Sequence, residues 1–101
     1  MNRAAERREE VLSRIREAVR RIHEAVEMRA TALDLKGLGE FRQLPENLRQ
    51  LTWLQSLDLS IWGKITDLVP LEGLTALEQL NLHHCFEITD LTPLAGLTAL
   101  K

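Results

Sequence analysis

Between residues 3 and 28 the apolar side chains fall at Val11, Leu12, Ile15, Ala18, Val19, Ile22, Ala25 and Val26. Steps of three and four place them on one face of an α-helix. From residue 30 the rhythm changes. Leu33 and Leu35, Leu57 and Leu59, and Leu80 and Leu82 alternate with polar residues, which predicts short strands with one buried face. Leu68, Leu71, Leu74 and Leu77 then follow at strict steps of three, as do Leu91, Leu94, Leu97 and Leu100. That spacing suits a 3₁₀-like or extended return better than an α-helix, whose stripe needs mixed threes and fours. Pro70 and Pro93, at matching places, each remove an N–H donor and favour the same reading.

The strand and return series belong to a repeat. Residues 54–76, LQSLDLSIWGKITDLVPLEGLTA, align without a gap to residues 77–99, LEQLNLHHCFEITDLTPLAGLTA, with 13 identities in 23. Residues 30–53 follow the same plan with one extra residue between Leu44 and Leu48, and residues 100–101, LK, open a fourth unit. The expected domains are therefore a helix over 1–29 and repeats over 30–53, 54–76 and 77–99, with parallel strands stacked so that the leucines converge between two layers. The fold class is α/β. The helix should cover the open side of the first unit, over Leu33, Leu35 and Phe41. Asn2 is its expected N-cap, and Glu10 with Arg14 and Glu17 with Arg21 stand at the favourable i, i+4 order.

Leucines at L-x-x-L-x-L, followed by a variable turn and a second leucine series with a period of 23, resemble the leucine-rich repeat. The wording ITDLTPLAGLTAL (88–100) is similar to bacterial internalin-type repeats, and LPENLRQLTWLQSLDLS (44–60) to those of bacterial Roco-type proteins, where an amphipathic helix commonly precedes the first strand. The resemblance implies a solenoid whose strands line a concave face, a capping helix at its start, and a protein partner. In the family the Asn or Cys after the strand faces inward and hydrogen-bonds the turning backbone. Cys85 holds that place in the third unit, but Trp62 and Leu38 hold it in the second and first, so irregular turns are expected there. No G-x-x-x-x-G-K-[ST] occurs, so the GTPase activity of Roco proteins is not implied.

Charge narrows the partners. A formal net charge of −2 predicts no attraction to phosphate or anionic lipid. Residues 1–29 carry eight arginines against six glutamates, a mixture too dilute for a nucleic-acid or membrane-surface helix. No apolar run approaches the roughly 18 residues of a membrane span. The single cysteine cannot form an internal disulfide, and no signal-peptide pattern opens the chain, so a cytoplasmic setting is expected.

Two surfaces are candidates for binding. Strand alternation places Asp34 and Lys36, then Ser56, Asp58 and Ser60, then Gln79, Asn81 and His83 in rows on the concave face, with Trp62 at the turn after the second strand as a possible anchor. His83 beside Ser60 and Asp58 has the makings of a hydrolytic triad, but three repeats supply no oxyanion hole or water-excluding pocket, so no enzyme is expected. His83, His84 and Cys85 are adjacent, and strand alternation points neighbours apart, so neither a metal nor another cofactor is expected. The second surface is the open end of the third unit, where Leu80, Leu82, Ile88, Leu91, Leu94 and Leu97 have nothing to stack on. Solenoids need a cap at each end. A symmetric homodimer sharing this end is the expected remedy. The function expected is non-catalytic protein–protein interaction; the alternatives are the sensor portion of a larger bacterial signalling protein, or a self-assembling repeat fragment.

Overall fold

The computed structural model describes residues 3–39 and 42–101. Asn2 and Phe41, the expected helix cap and first-unit core residue, lie outside the described residues. Helix α1 spans Arg3–Met28. Strands β1 (Ala32–Asp34), β2 (Ser56–Asp58) and β3 (Gln79–Asn81) follow, each succeeded by a 3₁₀ turn, Glu46–Gln50, Val69–Leu71 and Thr92–Leu94. The strands form one parallel sheet in the order β1-β2-β3, with Ala32, Ser56 and Gln79 in one register row and Asp34, Asp58 and Asn81 in another. Strands lie against strands and turns against turns, so the units stack in two layers, with α1 against the first strand and first turn.

The step of three in the leucine series is a hydrogen-bond pattern. Leu71 donates to the Leu68 carbonyl at 2.9 Å, Leu74 to Leu71 at 3.0 Å and Leu77 to Leu74 at 3.0 Å. Leu94, Leu97 and Leu100 repeat these bonds, as do Leu48, Leu51 and Leu54 in the first unit, where Pro45 is the first acceptor. An i to i−3 ladder brings every third side chain to the same azimuth, and here that azimuth is the core. Asp67 and Asp90 start the later two arms by accepting the N–H of Val69 and Thr92 through their side chains, each at 2.9 Å. This local carboxylate bond explains the ITDL motif.

Each strand leaves the sheet through one residue in the left-handed region: Gly37 at φ 72°, Ile61 at 63° and His84 at 62°. These are equivalent positions in the three units. At this turn the left-handed residue's own N–H reaches the following unit, Gly37 to the Ser60 carbonyl at 3.0 Å and Ile61 to the His83 carbonyl at 2.8 Å. Only the first unit uses the residue with no Cβ conflict there, and a β-branched side chain at φ 63° is strained.

Helix α1 joins the same core. Ala18, Ile22 and Ala25 are buried with the repeat leucines, and Val26 packs beside them. The helix ends by turning Arg29 left-handed at φ 52°, with Ala30 donating to Ala25 and Arg29 to Val26, the two bonds of a Schellman motif. The guanidinium of Arg29 then lies 4.4 Å over the Trp53 ring, and the Trp53 indole N–H bonds the Ala30 carbonyl at 3.0 Å. Trp53 thus packs across the helix–sheet joint. Arg21 bonds the Asp34 carbonyl at 2.9 Å, which occupies an acceptor at the end of β1, and also the Glu17 carboxylate.

Gly37 and Gly73 both have open space where a Cβ would sit, but only Gly37 has positive φ. Gly37→Ala should therefore lose about 1–2 kcal/mol from backbone strain alone, whereas Gly73→Ala should be neutral or gain about 0.4–1 kcal/mol. Urea unfolding of the two variants beside the parent chain measures the difference.

Candidate functional site

The sheet register sets Asp34, Asp58 and Asn81 in one row, and their polar side chains serve the chain itself. Asp34 Oδ1 accepts the N–H of Lys36, Asp58 Oδ1 that of Ser60, and Asn81 Oδ1 that of His83, each at 2.9 Å. One residue in each unit thus closes a turn two residues on, which is why Asp and Asn fill that position. Ser60 is buried, and its hydroxyl donates to Asp58 Oδ1 at 2.6 Å. It therefore leaves the exposed row where the alternation put it, because the left-handed residue that follows bends the strand. Its proton points to a carboxylate and not to the His83 imidazole, so the residues suggestive of a triad do not form one. The Ser60 hydroxyl, the Ser60 N–H and the Lys36 charge together hold the Asp58 carboxyl below its usual range. Lys36, Gln79, Asn81 and His83 remain exposed, and Ser56 is half-buried.

Trp62 is a correction. Placed among the concave binding residues from sequence, it is 0% exposed, and its indole N–H donates to the Leu35 carbonyl at 2.6 Å. Cys85, at the equivalent place one unit later, donates its thiol to the Leu59 carbonyl at 3.1 Å. Leu35 and Leu59 are themselves equivalent. The indole therefore makes the inter-unit bond that the thiol makes in the next unit, and no irregular turn results. It has room to do so because Gly39 lies flat against it: a Cβ there would come within 2.1 Å of the ring. Burial pushes the Cys85 thiol above its ordinary range, which makes it a poor nucleophile.

The third unit presents the other candidate surface. Leu57, Leu59, Ile65, Leu68 and Leu71 are buried in the second unit, whereas their equivalents Leu80, Leu82, Ile88 and Leu94 are half-buried. The contrast is greatest at Leu68, 1% exposed, against Leu91, 57%. Leu97 departs from the expected open-end set: at 4% it belongs to the core cluster, since its place in the arm turns it back into the body of the protein. Sequence reading missed Phe86, at 77% the most exposed large apolar residue among the described residues. It replaces Gly63 of the second unit, and that mismatch in the alignment was its only signal. Its ring lies 5.2 Å from His84, which lies 3.9 Å from His83, so three rings line this edge. Among the described residues no group of three or more His, Cys, Asp or Glu side chains could hold a metal ion. No described helix is long and apolar enough to cross a membrane.

Residues 52–96 match the family described as Leucine Rich repeats (2 copies). Residues 52–96 are leucine-rich repeats. The matched residues include β2, β3 and the later two 3₁₀ turns. No curated protein matches the chain. Leucine-rich repeats generally mediate protein–protein interaction and are typically non-catalytic.

Two measurements test this description of the repeats. Trp62→Phe keeps the ring but drops the bond to Leu35, whose carbonyl still accepts from Leu38 at 3.2 Å. The loss should be about 1–3 kcal/mol in urea unfolding. The second is acid stability. Asp58 is held low by Ser60, and Asp90 by the hydroxyl and N–H of Thr92; Glu17, between Arg20 and Arg21, is lowered to about 2. Carboxyls depressed on folding stabilise the native state above their unfolded values near pH 4, and that contribution disappears as pH falls through the folded ones. Denaturant midpoints should be flat from pH 7 to 5 and fall below pH 4, and Ser60→Ala should lower the plateau and make the fall shallower, because Asp58 then contributes less to it.

Proposed function

We propose that this chain is a non-catalytic protein-interaction module whose binding surface is the open end of the third repeat, with a second copy of the chain as its first partner. The observation that carries the reading is the contrast between equivalent leucines: a side chain that a following unit covers in the second repeat stands in solvent in the third. Full burial of such a side chain contributes about 1.5–3 kcal/mol. Several together make association favourable against its entropic cost. The β3 edge adds unpaired backbone groups able to accept another strand.

The concave face is the weaker surface. Asp34, Asp58 and Asn81 are engaged in their own turns, and Ser60 and Trp62 are inside. The helix acts, in this reading, as the N-terminal cap of a short solenoid, because its buried residues lie against the first strand and first 3₁₀ turn. A cytoplasmic setting goes with it, in which Cys85 stays a thiol bonded to the preceding unit.

Light scattering over a dilution series checks the proposal. The mass should rise above 11.6 kDa as concentration increases, and Leu91→Glu should hold it at 11.6 kDa. A parent chain that stays at 11.6 kDa at every concentration overturns self-association.

A further inference from the structure

The structure leaves a second apolar surface uncovered, at the other end of the molecule. Helix α1 has 26 residues and is therefore about 39 Å long, yet no helix residue before Ala18 enters the core cluster. Its stripe continues toward the N-terminus through Ile15, Leu12 and Val11, outside the core cluster, and Leu12 is 44% exposed. Hollows of about 570 and 750 Å³ lie along this face, one at Val11 and Leu12, the other where Ile15 and Val19 share a groove with Leu44 and Pro45.

Charge distinguishes the possible occupants. The third unit and the two residues after it, residues 77–101, hold Glu78, Glu87 and Asp90 against Lys101, whose ammonium lies 3.1 Å from the Glu78 carboxylate. Residues 3–16 of the helix hold five arginines against three glutamates. Two open ends brought together by a symmetry axis would set a net −2 against −2, a repulsion that salt screens beyond about 8 Å. The leading half of α1 against the same end sets a net +2 against −2 around an apolar centre. Like charges across an interface cost affinity and opposite ones steer the encounter.

We infer that the occupant of the open end is the leading half of α1 from a second copy, in a head-to-tail contact of Val11, Leu12 and Ile15 with Leu91, Leu94 and Phe86. The inference rests on the self-association proposed above and replaces its symmetric geometry. One end of each molecule then meets the unlike end of the next. Such a heterologous contact does not close on itself after two copies, so the parent chain forms oligomers that lengthen with concentration instead of stopping at a dimer.

A complementation experiment decides the geometry. Leu12→Glu spoils only the helix surface and Leu91→Glu only the open end; both positions are exposed, and circular dichroism checks that each variant folds. Each variant alone should stay at 11.6 kDa in light scattering, while an equimolar mixture should reach twice that mass and no more, because one intact surface remains on each partner. If Leu12→Glu alone still associates while Leu91→Glu does not, the head-to-tail contact is wrong and open-end self-association survives with another geometry. If both variants associate as the parent does, or the parent itself stays monomeric, the underlying reading falls as well.

Discussion

Register between equivalent residues is the constraint on which this molecule depends. A unit of 23 residues is too short to enclose its own leucines, and it buries them only when the next unit lies parallel and in phase. The backbone fixes that phase. Gln55 donates to Thr31, Glu78 to Gln55 and Lys101 to Glu78, at 2.8–3.0 Å, so equivalent amides and carbonyls form one line through the sheet. The 3₁₀ arms keep a second line of leucines opposite, and the hydrocarbon between the two lines is the core. A slip of one residue would turn Leu57 and Leu59 outward and Asp58 inward.

Much of this was legible because period is a physical signal. The two-residue alternation of Leu57 and Leu59 and the three-residue step from Leu68 to Leu77 correspond to a strand and a 3₁₀ ladder, each with its own hydrogen bonds. The helix stripe was legible for the same reason, although the pattern overstated its contact: periodicity marks an apolar face, and only the reach of the neighbouring strand and turn decides how much of that face is covered. Three residues, 18, 22 and 25, are fully enclosed.

What could not be read was how individual side chains spend their hydrogen-bonding groups. Alternation placed Ser60 outside, but the left-handed Ile61 bends the chain and Asp58 takes the Ser60 hydroxyl. Trp62 looked like an exposed aromatic at a turn. Its burial depends on Gly39, 23 residues earlier, lacking a side chain where the indole lies, a coincidence that no local pattern displays. The exposed end, by contrast, follows from simple counting of units, and Leu97 escaped that count because position within an arm matters as well as position within the stack.

The side-chain bonds between units are of unequal strength. An indole N–H at 2.6 Å ties the second unit to the first, whereas a thiol, a weak donor, ties the third to the second at 3.1 Å. Cohesion is therefore polarised, tightest beside the helix and loosest at the far margin. The repeat whose leucines are most exposed is thus also the one held by the weaker side-chain donor.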